Sequence, residues 1–260
     1  MTDAEARNRA MTEALRTTGA LTADGVEAAM LATPRHLFAP DTGWLSPDHA
    51  DMPGYAIHRQ REPRTWWDAV YSDGSIITQR NDGTAAVDTR HGTPTSSLSA
   101  PGVVARFLEL LDVHPHDRVL EIGTGTGWTA ALLTHLTDAE GVTTVEIDPE
   151  VASQAAANLK ATGRAPRLIV GDGAPGWPDG APYDRVHATC AVTRVPFAWV
   201  EQARPGGVIV VPWQPSIGSG WKARLVVDGT QAVGRFHGTA GYMMLREQRT
   251  VGRWNPHHQD

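Results

Sequence analysis

The chain has 260 residues, 41% of them hydrophobic, which is enough for one sizeable α/β domain with a smaller lobe and too few for two large domains. A formal charge of -6 excludes general electrostatic attraction to phosphate backbones or anionic lipids, so neither nucleic acid nor membrane is expected as a partner. The single cysteine, Cys190, excludes an internal disulfide and a multi-cysteine metal site, and a polar start without a signal-like apolar run fits a cytoplasmic protein.

Periodicity predicts helices over residues 2–17 and 22–33, the second capped by Thr22, together forming a small lobe. Residues 44–73 are irregular and rich in Pro, Asp and aromatics, which predicts loops and a short strand near Val70-Tyr71. Between Asp73 and Pro101 the composition shifts towards Thr, Ser, Gly and Asp, the mark of a long loop or insertion. After Pro101 the apolar face Val103, Val104, Phe107, Leu108 and Leu111 predicts a helix, and Val119-Leu120-Glu121-Ile122 a buried strand. The glycine turn Gly123-Thr124-Gly125-Thr126-Gly127 follows at once.

Next come a helix over 128–136, a strand over 142–147, a helix over 150–162, strands over 168–170 and 185–189, a helix over 197–203 and a strand over 208–211 stopped by Pro212. This alternation predicts a mainly parallel sheet covered by helices on both faces. Two alternating runs, 224–227 and 232–236, flank the hairpin signal Asp228-Gly229 and add an antiparallel edge. Residues 252–260 show no periodicity and are expected to fray.

A glycine turn between strand and helix lets backbone approach a nucleotide-like ligand, but the dinucleotide fingerprint needs a third glycine where this chain has Trp128. Glu121, just before the turn, would repel a pyrophosphate and attract an ammonium. Glu146 ends the next strand, where an acid can accept from both ribose hydroxyls, with Ile147 beside it. Asp172 and Gly173 follow the third strand, where the acid can accept from an adenine amino group. Asp148, ahead of Pro149 and a helix, reads instead as a helix cap. Three acids at three successive strand ends predict S-adenosyl-L-methionine as cofactor, held by Glu121, Gly123, Thr124, Gly125, Thr126, Glu146, Ile147, Asp172 and Gly173. The predicted fold class is thus α/β, a class I (Rossmann-like) methyltransferase sheet with an antiparallel edge hairpin. The N-terminal helical lobe and inserted loop occupy 1–100, the methyltransferase domain 101–250 and the tail 251–260. No histidine or cysteine spacing suggests a metal.

Across roughly residues 69–213 the sequence resembles the protein L-isoaspartyl O-methyltransferase family. The matching pieces are Ala69-Val70-Tyr71-Ser72-Asp73, Ser97-Leu98-Ser99-Ala100-Pro101, residues 119–127, Val145-Glu146, Gly171-Asp172-Gly173, Gly176-Trp177-Pro178 and Ala181-Pro182-Tyr183-Asp184. The resemblance implies esterification of an aspartyl or isoaspartyl carboxylate in a peptide or protein. It implies Ser99 as the principal active-site residue, Ser97 beside the cofactor, and Tyr71, Asp73, Thr189 and Cys190 along the acceptor cleft. From its position alone, Ser99 also reads as a cap for the helix after Pro101. Cys190 reads as a small buried lining residue rather than a nucleophile.

Residues 74–95 are longer and more polar than the family's link, and Trp44, Trp66 and Trp67 belong to an extended N-terminal lobe. Both features, with Ile77-Thr78-Gln79 and Pro94-Thr95-Ser96-Ser97, resemble homologues that modify ribosomally made peptides. In those, an ordinary aspartate of a cyclised precursor is esterified and closes to an aspartimide or isoaspartate. That is the main expectation here, with isoaspartyl protein repair as the alternative. Small-molecule methylation and a non-catalytic peptide-binding role complete the set. Arg80 or Arg90 of the insertion are candidates to bind acidic peptide side chains.

Overall fold

The computed structural model describes residues 2–47, 53–137 and 141–249, so the terminal run expected to fray lies outside the described residues. Helix α1 (Asp3–Thr17) opens on a capping box, in which the Thr2 side chain accepts from the Glu5 N–H and the Glu5 carboxylate accepts from the Thr2 N–H. Helix α2 (Asp24–Ala32) is not capped by Thr22. Its cap position is Ala23, and the N–H groups of Thr22 and Ala23 and the Thr22 hydroxyl all donate to Glu109. Glu109 belongs to helix α4 (Pro101–Leu111), so the donors of the two residues preceding α2 are met from a distant element.

Residues 42–98 differ most from expectation. They form strand β1 (Thr42–Pro47), strand β2 (Tyr55–His58), helix α3 (Pro63–Val70), strand β3 (Gly74–Arg80) and strand β4 (Pro94–Leu98). Val70-Tyr71 therefore ends a helix instead of forming a strand. Pro63 presets the first helical φ, and Trp66, Ala69 and Val70 bury one stripe at helical spacing. The four strands pair antiparallel in the order β2-β1-β3-β4. The lobe is thus not helical alone, and the polar insertion is a pair of strands joined by residues 81–93.

The main sheet is built from β5 (Val119–Ile122), β6 (Val142–Glu146), β7 (Arg167–Val170), β8 (Tyr183–Ala188), β9 (Ala203–Trp213), β10 (Trp221–Asp228) and β11 (Gln231–Thr239). The order is β11-β10-β9-β8-β5-β6-β7, parallel from β9 to β7 and closed by the expected antiparallel hairpin. Helices α5 (Trp128–Leu136), α6 (Pro149–Ala161) and α7 (Phe197–Gln202) complete the order. Alternate strand residues feed two apolar clusters. Val119, Val208 and Val210 join the residues of α1, α2, α4 and α5, whereas Leu120, Ile122, Ile209 and Val211 join Trp199 and Val200 of α7.

One buried cation ties the lobe to the sheet. The Arg35 guanidinium, fully buried, donates to the carbonyls of Val70, Gly74 (2.8 Å), Leu98 (3.3 Å) and Ser99 (3.0 Å), with a longer contact to Ser72 (3.5 Å). Burial lowers its pKa to about 9, against the opposing pull of Asp73 and Tyr71, so it stays charged at neutral pH. Two residues earlier, the Thr33 carbonyl accepts from the Trp128 indole N–H at 3.0 Å, and the Arg35 guanidinium lies 5.6 Å from that ring's centroid. Arg35→Met leaves several buried carbonyls without a donor. Urea unfolding should show a loss of more than about 3 kcal/mol, whereas a loss under about 1 kcal/mol would show that these carbonyls have other partners.

Candidate active site

The carboxyl ends of β5, β6 and β7 line one edge of the sheet, beside the point where the strand order reverses, which is where open α/β sheets bind ligands. The glycine turn leaves β5 there. Gly123 has φ +93°, and a Cβ on it would lie 2.5 Å from Thr189 Oγ1. Gly127, at φ +87°, begins α5. Both positions therefore need glycine. Thr189, at the end of β8, gives its hydroxyl to the carbonyls of Gly123 and Ile122 (3.1 Å) and so pins the turn. Ser97 packs against the turn from the other side, its carbonyl 3.4 Å from where a Gly125 Cβ would stand. Trp128 turns away from the turn, towards Thr33.

The predicted acids sit around this turn in different environments. Glu121 is fully buried. One carboxylate oxygen accepts from Thr144 Oγ1 at 2.6 Å, and Thr144 meets Thr124 at 2.7 Å, while the other oxygen has no hydrogen-bond partner among the described residues. Burial, reinforced by the nearby Glu146 charge, pushes the Glu121 pKa up to about 8 despite the Thr144 bond. His187, its neighbour in register on β8, is held neutral by burial with a pKa near 4 and supplies no compensating charge. Glu146 accepts from the N–H groups of Gly125 (2.9 Å) and Asp148 (3.1 Å), and burial raises its pKa as well. Ile147 is half-buried beside it. Asp172 is exposed, holds the N–H of Ala174 at 3.0 Å and is followed by Gly173, whose added Cβ would meet Ile122 at 2.5 Å.

Asp148 caps α6 as expected, accepting from Glu150 and Val151 through Oδ1. Its Oδ2 does more, accepting from Gln79 of the insertion and from Arg246, both at 3.1 Å. Arg246 also pairs with Asp82 at 3.0 Å, and Arg249 contacts the same carboxylate at 2.8 Å. Residues 246–249 therefore strap the insertion to the start of α6, next to Glu146. Arg80, a candidate for peptide binding, is instead buried, donates to the Gly92 carbonyl at 2.9 Å and faces the Trp44 ring. It organises the insertion.

Of the residues expected at the acceptor, Ser99 is half-buried between β4 and α4, with its carbonyl on Arg35. It does not cap α4. The cap position is Ala100, and the Gly102 N–H donates to Asp73 Oδ1 at 2.7 Å, so Asp73 does that work and the Ser99 hydroxyl is free of it. Tyr71 turns its hydroxyl to His36 Nδ1 (2.6 Å) and stacks on Trp67, which places its side chain with the lobe. Cys190 lies at the end of β8 with its sulfur 3.8 Å from the Ile122 carbonyl, and burial pushes its thiol up to about 12. Arg35, Thr144 and Arg246 carry no signal in the sequence. Each acts across the fold, without a local motif.

This sheet order, with a glycine turn after β5 and acids at three consecutive strand ends, defines a class I Rossmann-like methyltransferase fold. The model of the protein-L-isoaspartate(D-aspartate) O-methyltransferase family matches residues 69–228, and the chain belongs to that family. Among curated relatives, the protein-L-isoaspartate O-methyltransferase of Aeropyrum pernix is 37% identical over 211 residues, which is 80% of this chain and 66% of that protein. The protein-L-isoaspartate O-methyltransferase of Methanopyrus kandleri is 36% identical over 210 residues, 80% of this chain and 76% of that protein. The match thus spans slightly under two thirds of the Aeropyrum pernix protein's length. A solved protein-L-isoaspartate O-methyltransferase superposes with TM-score 0.70 at 23% identity, covering 91% of this chain and 65% of that one. A Plasmodium falciparum protein solved in complex with S-adenosyl-L-homocysteine gives 0.68 at 12% identity, covering 95% and 100%. Both structures share the fold. The relatives' names fit the isoaspartyl alternative better than a tailoring role on ribosomally made peptides.

Glu121 makes the site's pH response predictable. Between the usual carboxylate range and about pH 8 the folded chain keeps a proton that the unfolded chain has released, so ligand-free stability falls as pH rises through that window and levels off above it. Urea unfolding at pH 5, 6.5 and 8 should show the wild type losing on the order of a few kcal/mol relative to Glu121→Gln. Parallel curves for the two proteins would place the carboxylate in a solvated environment.

Proposed function

We propose that the chain is an S-adenosyl-L-methionine-dependent O-methyltransferase that esterifies the free carboxylate of L-isoaspartyl residues in peptides or proteins. The observation that carries this reading is Glu121, a buried carboxylate with one unpartnered oxygen directly before a glycine turn. Such a group is costly unless a cation meets it, and the ammonium of the methionine portion is a cation of suitable chemistry. Family membership supports the acceptor assignment.

The cofactor, when bound, supplies an electrophilic methyl group on a sulfonium. Glu121 would hold its ammonium, and Gly123, Thr124, Gly125 and Thr126 would let backbone pass close to it. Glu146, oriented by the N–H groups of Gly125 and Asp148, keeps lone pairs for ribose hydroxyls. Ile147, Asp172 and Gly173 would line the adenine. The acceptor needs no general base, because a carboxylate is ionised at neutral pH. What it needs is orientation and removal of water. The Ser99 hydroxyl, not used as a helix cap, can donate to one carboxylate oxygen and aim the other. Cys190 stays a thiol and does not compete as a nucleophile.

A second reading takes an ordinary aspartate of a cyclised, ribosomally made peptide as acceptor. The inserted residues 81–93 favour it, because Gln79 and Asp82 dock this segment beside the cofactor-side acids and remodel the cleft there.

With labelled cofactor, an isoaspartyl peptide should gain a base-labile methyl ester and its aspartyl counterpart should not. Labelling of a cyclic aspartyl peptide alone would select the second reading, and no labelling of either would overturn both. Ser99→Ala should lower kcat by about 10²-fold while leaving S-adenosyl-L-homocysteine affinity within about twofold.

A further inference from the structure

The polar groups around Asp148 close into a ring that joins the insertion, the start of α6 and the segment after β11. Thr95 Oγ1, on β4, donates to Gln79 Oε1 at 2.8 Å, and Gln79 Nε2, on β3, donates to Asp148 Oδ2 at 3.1 Å. Arg246 donates to the same Oδ2 at 3.1 Å and pairs with Asp82 Oδ1 at 3.0 Å. The Asp82 N–H then donates to Thr95 Oγ1 at 3.0 Å and completes the circuit. Arg249 adds a second cation on Asp82, at 2.8 and 3.1 Å from its two oxygens. Asn81 and Asp82 have φ of +47° and +50°, a left-handed conformation that Asn and Asp tolerate better than other side chains. Two such residues in succession persist where surrounding contacts hold them, and Arg246, Arg249 and Thr95 hold Asp82. Among the described residues, the side chains of Gln79 and Asp82 reach outside the insertion only to Asp148, Arg246 and Arg249.

We propose that Arg246 is a positioning residue for the cofactor: with Gln79 and Asp82 it fixes Asp148, so that Glu146 is presented to both ribose hydroxyls, and the insertion serves the methyl donor whichever acceptor is used. The inference rests on the cofactor assignment proposed above. The Asp148 side chain and N–H have no spare bonding position on either carboxylate oxygen. Oδ1 accepts from the N–H groups of Glu150 and Val151, Oδ2 accepts from Gln79 and Arg246, and the Asp148 N–H donates to Glu146 Oε1 at 3.1 Å. The Gly125 N–H donates to Glu146 Oε2 at 2.9 Å. Each Glu146 oxygen thus carries one N–H and keeps a lone pair for one hydroxyl. Turning Asp148 moves the donor that aims Oε1, so this cap is the joint through which the ring reaches the ribose acid. The ring also brings a cation to two neighbouring carboxylates. Burial raises the Glu146 pKa and the Asp148 charge adds to that, whereas the two N–H partners and the Arg246 charge act the other way.

Two variants open the ring at different points. Asp82→Asn keeps a side chain that accepts the left-handed conformation and removes the charge that holds Arg246, while Arg246→Met removes both arms of the bridge. Calorimetry on the full-length protein should show S-adenosyl-L-homocysteine bound about threefold more weakly by Asp82→Asn and about tenfold more weakly by Arg246→Met. For the 2′,3′-dideoxy analogue of that ligand, which offers Glu146 no hydroxyl, both variants should match the wild type. With saturating labelled S-adenosyl-L-methionine, kcat and the KM for an isoaspartyl peptide should also stay at wild-type values. Undiminished affinity for S-adenosyl-L-homocysteine in both variants, an equal loss with the dideoxy analogue, or a raised peptide KM at unchanged cofactor affinity would overturn this inference alone. A wild type that binds S-adenosyl-L-homocysteine but methylates no peptide would overturn the proposed acceptor and not this inference. A wild type that does not bind that ligand would overturn both.

Discussion

The site depends on where the Arg35 guanidinium is placed. A planar fork with five N–H donors can bind several carbonyls at once, which a lysine ammonium on a flexible stem cannot match in geometry. Here it collects the end of α3, the start of β3 and the junction of β4 with α4, and so sets the backbone of Ser99. The Thr33 carbonyl, two residues away, holds the first residue of the helix that follows the glycine turn. Ser99 and the helix after the glycine turn are therefore both referenced to residues 33–35. The N-terminal lobe is the part that brings them into register.

A second constraint is electrostatic. Glu121, Glu146 and Asp148 are all buried within one sheet edge. Asp148 is compensated by Arg246, Gln79 and the α6 amides, which hold its pKa below the usual range although burial works the other way. Glu146 is partly compensated by two amides. Glu121 has one hydroxyl and no cation among the described residues. The imbalance leaves, at the deepest point of the edge, a carboxyl group that keeps its proton up to about pH 8 and whose ionised form has no protein cation to meet it among the described residues. That suits a ligand carrying positive charge and disfavours a pyrophosphate, which separates this turn from a dinucleotide site.

Much of this was legible in the sequence because it was written in local patterns. The order from β5 to β11, the cap at Asp148 and the hairpin at Asp228-Gly229 follow from periodicity and turn chemistry alone. The lobe was less legible. Helix α3 has one helical stripe, Trp66, Ala69 and Val70, inside a run of prolines and charges that reads as loop. Helix α2 has no side-chain cap, Thr22 being taken up by Glu109, and the first turn of α4 is met by Asp73, so at both helices the nearby hydroxyl that the local sequence offers is not the group that serves. Arg35 and Arg246 illustrate the general difficulty. Each carries its meaning through contacts more than thirty residues away in sequence, and neither is part of a spacing that points to chemistry.

In the proposed arrangement the buried carboxylate before the glycine turn holds the methyl donor's ammonium while Ser99 faces the acceptor carboxylate. A crystal structure with S-adenosyl-L-homocysteine and an isoaspartyl peptide tests both halves together. The ligand's amino group is expected on the free oxygen of Glu121 and the isoaspartyl carboxylate within hydrogen-bond distance of Ser99 Oγ. An amino group remote from Glu121, or an acceptor carboxylate seated elsewhere with Ser99 turned away, would contradict it.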